Sequence, residues 1–130
     1  MLIWKEEYSI GVELIDAQHQ HLFEIGNSAY KLLRDDFCTD KYDKVVQIIE
    51  DLRQYTQFHF KSEEEYMKKI NYRRYFSQKV EHDDFIRKIN AVNLDIVDEN
   101  PEKYLEDILA FIFNWTLEHI LQKDKLIKAE

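Results

Sequence analysis

The chain has 130 residues, 45% of them hydrophobic and 34% charged, with a formal net charge of −8. That is enough for one domain with a single core, and the acidic balance argues against nucleic acid, whose phosphates need a basic surface. With two glycines and one proline there are too few turn formers for an all-β sandwich, so long helices joined by short polar loops are expected.

No apolar run approaches the roughly 20 residues of a membrane span. The opening MLIWKEEYSI lacks the basic and apolar regions of a secretory signal. The lone Cys38 makes no internal disulfide and sits in no metal or nucleophile signature. A cytoplasmic protein without a membrane contact is expected.

Residues 1–15 read as an extended arm whose Trp4, Tyr8, Ile10 and Ile15 lie over the body of the domain. Asp16 suits the N-cap of a first helix over about 17–34, with His19, Leu22, Gly26, Ala29 and Leu33 on its inner stripe. The polar DDFCTD breaks it. A second helix over about 40–69, capped by Thr39, turns Val45, Ile48, Leu52, Tyr55, His59, Glu63 and Tyr66 inward. Asn71 marks the next turn. A third helix over about 73–97 carries Tyr75, Gln78, His82, Phe85, Ile89, Val92 and Ile96 at steps of three and four. Asn100-Pro101 pairs a cap with a first-turn proline. It opens a fourth helix over about 101–127 that buries Leu105, Ile108, Leu109, Ile112, Trp115 and His119. Short connections make neighbouring helices antiparallel, so the fold class is all-α, an up-down-up-down four-helix bundle with crossing angles of about +20°.

The polar residues on those inner stripes carry the chemistry. Of five histidines, His19, His59, His82 and His119 face inward, one per helix; His21, about 200° around from His19, belongs on the surface. In this topology the start of the first and third helices and the end of the second and fourth share one end of the bundle, so the four imidazoles share one level. Glu63 joins them one turn after His59. Asp124 follows His119 by five residues, a rotation of about 140° on an ideal helix. It converges only if the helix end is distorted or the site is wide enough to be reached from two directions.

A dinuclear centre is such a site. Four imidazoles and two carboxylates exceed one closed tetrahedral zinc and fit a non-haem iron pair inside a bundle. The rival for any single residue is plainer: a hydrogen-bonded core histidine for His19, a helix ion pair for His59 and Glu63. Lys61, Ser62, Glu64 and Glu65 read as a solvated face, and Glu81, Asp83 and Asp84 as pointing away from the stripe. The convergence of all six donors is what those local readings leave unexplained.

These pieces resemble the hemerythrin family in its single-domain bacterial form (bacteriohemerythrin-like): Trp4 with YSIGV, then IDAQHQHLF, HFKSEEEYM, HDDF and WTLEHILQKD, in family order over nearly the whole chain. The resemblance implies two irons bridged by oxygen and by two carboxylates. On it, His19 and His59 are the terminal ligands of the iron that takes O2, Glu63 and Asp124 the bridges, and His82 and His119 ligands of the second iron. Leu22, Phe23, Phe60 and Trp115 are expected to wall the O2 pocket and keep it dry.

Three positions depart from the family. Its third helix carries His-x-x-x-His, and the first of these is Gln78 here. Either Gln78 binds through its amide oxygen, or water takes the place, or the second iron is held loosely. Tyr72-Arg73 stands where many relatives have Tyr-Pro. Thr116 puts a hydroxyl in a pocket that is usually apolar, where it would admit water and speed oxidation of the iron. The expected function is a diiron O2-binding protein that stores, delivers or senses O2 or a related small ligand, with an unidentified redox or signalling partner, and not an enzyme in the ordinary sense. The alternatives are an enzyme handling peroxide or NO, suggested by Gln78, and a metal-free interaction bundle.

Overall fold

The computed structural model describes residues 3–37, 39–92 and 101–128. After a 3-10 turn at Glu6–Tyr8 come four helices: α1 (Glu13–Leu33), α2 (Lys41–Lys69), α3 (Tyr75–Asn90) and α4 (Pro101–His119). A π-helical turn, Ile120–Asp124, and a last helical turn, Lys125–Lys128, continue α4. No strand occurs among the described residues. The main core lies between the helices, with Leu22, Ala29 and Leu33 from α1 against Val45, Ile49 and Leu52 from α2, Phe85 and Ile89 from α3, and Leu105, Leu109 and Ile112 from α4. The chain is a four-helix bundle.

Several boundaries differ from the sequence reading. Helix α1 begins at Glu13, so Asp16 lies inside its first turn and is not its cap. The Asp16 carboxylate turns back to the arm instead, accepting hydrogen bonds from Ile10 N at 2.8 Å and Ser9 Oγ at 2.6 Å. This staples the arm so that Tyr8 and Ile10 pack with Ile15, Phe23 and Ile120 in a second apolar cluster. The residue at the N-cap of α2 is Asp40, not Thr39, and its side chain makes no capping bond.

Helix α3 ends at Asn90, well short of 97. The turn tightens there, Val92 N donating to Ile89 O, and the Val92 carbonyl is taken at 2.7 Å by the Arg53 guanidinium of α2. Val92 is half-buried, and Ile96 and Asn100 lie outside the described residues.

On the inner face of α2, Val45, Leu52, His59 and Glu63 are buried as expected, but three positions of the stripe give way to their neighbours. Ile49, Thr56 and Met67 are buried, while Ile48, Tyr55 and Tyr66 flank them half-exposed. Thr56 can be inside because its hydroxyl donates to Leu52 O at 2.7 Å and so carries no unpaired group into the core. Tyr55 keeps its polar tip at the rim, edge-on to His21 at 4.5 Å. Tyr75 and Trp115 are likewise half-buried, and Phe113 and Thr116 are buried in α4.

Two local features set the helix geometry. Asn71 has φ 55° and closes α2 as a Schellman motif: Tyr72 N donates to Met67 O at 2.9 Å and Asn71 N to Lys68 O at 3.2 Å. The accompanying apolar contact is present too, Tyr72 packing with Met67 and Ile127. In α1, Gly26 lets the Phe113 ring of α4 lie on the backbone; a Cβ there would stand 1.9 Å from Phe113 Cζ. The ring is held by Tyr30, stacked at 5.5 Å, and Phe23 at 6.4 Å. Gly26→Ala is therefore expected to lower stability by about 1–3 kcal/mol through overpacking, measured as the urea midpoint, despite the higher helix propensity of alanine.

Candidate metal centre

Six polar side chains meet in the interior at one end of the bundle. His19 comes from the start of α1, His59 and Glu63 from the far half of α2, His82 from the first half of α3, His119 from the end of α4 and Asp124 from the π turn. Their meeting at one level requires consecutive helices to run in opposite directions. None of the six is more than 6% exposed, so they face one another and not water.

The π turn is what brings Asp124 in. Lys125 N donates to Ile120 O, a bond across five residues. That wider turn returns a residue five positions on to nearly the same face, which an α-helix does not do. Asp124 Oδ1 then lies 3.2 Å from His119 Nε2.

The donors form two groups that share both carboxylates: His19, His59, Glu63 and Asp124, and Glu63, His82, His119 and Asp124. Each carboxylate sends one oxygen to each group. Glu63 Oε2 is 3.2 Å from His59 Nε2 and 3.7 Å from His19 Nε2, while its Oε1 is 3.3 Å from His82 Nε2. Asp124 Oδ2 is 3.2 Å from His19 Nε2, and Oδ1 faces His119. The imidazoles of the second group meet at 3.1 Å between Nε2 atoms. Donor atoms about 2.1 Å from one metal ion and at right angles to each other stand about 3 Å apart, so both groups have the spacing of a coordination sphere.

The electrostatics are those of ligands in need of a cation. Both oxygens of Glu63 and both nitrogens of His19 are buried without a well-formed hydrogen bond, a costly state for a carboxylate unless positive charge is close. Burial pushes the His19 imidazole towards neutrality, but the neighbouring Asp124 and Glu63 carboxylates outweigh it and raise its pKa to about 9. Burial acts the same way on His82 and is outweighed by Glu63 and Glu64, again to about 9. For His59 burial prevails over Glu63 and the pKa falls. Burial would raise Glu63, yet His19, His59 and His82 hold it well below the usual carboxylate range.

Three polar partners of the imidazoles were not anticipated from the sequence. Gln18 Oε1 accepts from His59 Nδ1 at 2.7 Å, and the Gln18 amide donates to Ser62 Oγ at 3.0 Å. Glu64 Oε2 accepts from His82 Nδ1 at 2.8 Å, so Glu64 and Ser62 are not part of a solvated face. Glu81 points to His119, with Oε2 3.5 Å from Nδ1, and not away from the stripe. Gln18 and Glu64 each neighbour a ligand position in sequence, which is the signal that was available. Asp83 and Asp84 do face lysines or arginine at the surface, and His21 is half-exposed beside Glu24.

Gln78 is 2% exposed and its amide nitrogen donates to Asp124 Oδ1 at 3.3 Å, on the side of the second group. Among the pocket residues, Leu22, Phe60 and Trp115 share the main core. Phe60 stacks on His82 at 3.9 Å and Trp115 on His119 at 4.5 Å, both against the second pair. Phe23 belongs to the cluster under the arm, 5.6 Å from Trp4. Thr116 is buried one turn before His119.

Residues 10–130 match the family model described as the Hemerythrin HHE cation binding domain. A bacteriohemerythrin of Clostridium acetobutylicum is 44% identical over 125 residues, covering 96% of this chain and 97% of the relative. A myohemerythrin of Theromyzon tessulatum is 30% identical, covering 98% and 91%. The fold is similar to the crystal structure of wild-type hemerythrin, with a TM-score of 0.78 at 23% identity over 99% of this chain and 96% of that one. With two buried donor groups joined by two carboxylates and a family model spanning the bundle, the chain belongs to the hemerythrin family.

Proposed function

We propose that the protein binds two iron ions, one between His19 and His59 and one between His82 and His119, with Glu63 and Asp124 bridging them, and that it takes up O2 for storage, delivery or sensing. The observation that carries this reading is the division of each carboxylate, one oxygen to each pair of imidazoles. A lone ion pair or a mononuclear site does not call for that arrangement. The irons, when bound, supply the electrons that O2 draws on; the chain supplies the dry, pre-arranged surroundings. Each position has four of these donors, and Gln78 stands on the side of His82 and His119, which leaves the His19–His59 position as the place for a small ligand. Phe60, Trp115 and Leu22 limit the access of water from the core side. The same reading places the protein in the cytoplasm, in keeping with its single cysteine.

A second reading, an enzyme that consumes peroxide or NO, is favoured by Gln78, since an amide in place of an imidazole leaves the second position more open to reaction. One preparation tests both. Protein from iron-supplemented cells is expected to hold about two irons per chain and, once reduced, to develop visible absorption on exposure to air. Peroxide should then decay only stoichiometrically. Iron content near zero would sink the proposal, and steady peroxide turnover would move it to the enzyme.

Thr116 gives a finer check. If its buried hydroxyl admits water beside the O2 position, Thr116→Val slows autoxidation several-fold, and equal rates would remove Thr116 from the account.

The raised imidazoles set a pH dependence. His19 and His82 have folded-state pKa values of about 9 against an ordinary 6.5. Their contribution to the stability of metal-free protein is full below about pH 6.5 and disappears as pH rises through about 9. Metal requires both rings deprotonated. Loading at pH 7 is accordingly expected to release about two protons per chain, read in a pH-stat, and a release of none would show that these rings are neutral beforehand.

A further inference from the structure

The two pairs of imidazoles are not supported alike. Behind His82, Glu64 uses one oxygen for Nδ1 at 2.8 Å, and the other lies 3.6 Å from Lys79 Nζ. Behind His119, Glu81 stands further off: its Oε2 lies 3.5 Å from Nδ1 without forming a hydrogen bond, and its Oε1 lies 3.6 Å from Lys123 Nζ. Behind His59 stands the neutral amide of Gln18, and among the described residues His19 Nδ1 has no hydrogen-bond partner. Among the described residues, one pair is backed by two carboxylates, one hydrogen-bonded and one at ion-pair distance, and the other by none.

Ring orientation divides the same way. His82 lies flat on Phe60, with 3° between planes, and His119 flat on Trp115, with 12°. His19 and His59 meet each other edge to face, 4.6 Å apart at 68°. Gln78 adds a third asymmetry. Its amide nitrogen donates to Asp124 Oδ1, the oxygen that faces His119, while its buried Oε1 has no partner. An amide oxygen is a competent metal donor, and this amide meets the cluster through Asp124 Oδ1, on the His82–His119 side.

We propose that the two positions load in order: the His82–His119 position fills first, gripped by carboxylate-backed imidazoles and closed by the amide oxygen of Gln78, and the His19–His59 position fills second. The proposal rests on the dimetal reading above. An anionic partner on the far nitrogen strengthens an imidazole as a donor and fixes its tautomer, and losing such a partner costs metal affinity about 10–100-fold. The missing third imidazole is thus offset by Glu64 and Glu81, which act as positioning residues. The neutral-backed position becomes the exchangeable one, and a one-metal form is an intermediate of assembly.

Zinc is a diamagnetic probe of the order. In protein labelled with ¹⁵N-histidine, the first equivalent of zinc is expected to shift the Nε2 resonances of His82 and His119, and the second those of His19 and His59. The surface His21 serves as the unmoved control. Glu64→Gln keeps the shape and the hydrogen bond to Nδ1 but removes the charge; it is expected to weaken the first step about 10–100-fold and leave the second unchanged. A general structural defect would move both. If His19 and His59 shift first, or all four shift together from the outset, the order is overturned and the dimetal reading stands. If zinc moves none of the four, the dimetal reading itself fails. The wild-type titration decides between these without any variant.

Discussion

Two carboxylates, Glu63 and Asp124, are buried inside one end of the bundle at no more than 1% exposure, and the rest of the structure answers to them. Buried anions are tolerable only with positive charge close at hand. Four imidazole nitrogens supply part of it, two of them on rings whose pKa the anions raise to about 9. Each helix of the bundle gives one histidine to the ring around these oxygens, so the same polar cluster that would weaken a core ties all four rods at one level. The large apolar side chains of the bundle, Phe85, Leu109, Ile112 and Ile49, are gathered in the main core beside it.

Backbone irregularity appears where that cluster demands it. A regular α-helix turns residues five apart to different faces, and the π turn at Ile120–Asp124 removes the mismatch between His119 and Asp124. Such turns recur at functional sites because one inserted residue re-aims a side chain without ending the helix. The arm is anchored at the same end, where Asp16 holds the backbone of Ile10 and the cluster of Tyr8, Ile10, Phe23 and Ile120 packs below the turn. Ile120, the first residue of the π turn, is therefore fixed by apolar packing on one side while Asp124 is aimed inward on the other.

The chain has the hemerythrin fold, and the two halves of its donor cluster are surrounded differently. An amide, Gln78, stands on the side of His82 and His119, and the carboxylates of Glu64 and Glu81 lie behind those two imidazoles. Donor strength depends on what lies beyond the ligand as much as on the ligand, so a change of ligand type and a change of its surroundings have to be read together. The aromatic stacks of Phe60 and Trp115 on the same two rings add orientation, which neither charge nor ligand count supplies.

The sequence by itself determined the helices, their order and the inward histidines, because three-four periodicity in apolar residues survives in one dimension. Four imidazoles on four helices, with Glu63 one turn from His59, follow from that periodicity plus antiparallel topology. Other features depend on atoms far apart in the chain. Past the end of α3, an Arg53 guanidinium from α2 takes the Val92 carbonyl, and on α2 a buried threonine satisfies itself against Leu52. Asp124 would leave His119's face on an ideal helix, and it is the turn hydrogen-bonded across five residues that returns it. Glu64 and Glu81 looked like surface charges because helical spacing reports which way a side chain leaves its own helix, whereas its partner is chosen by the helix packed alongside.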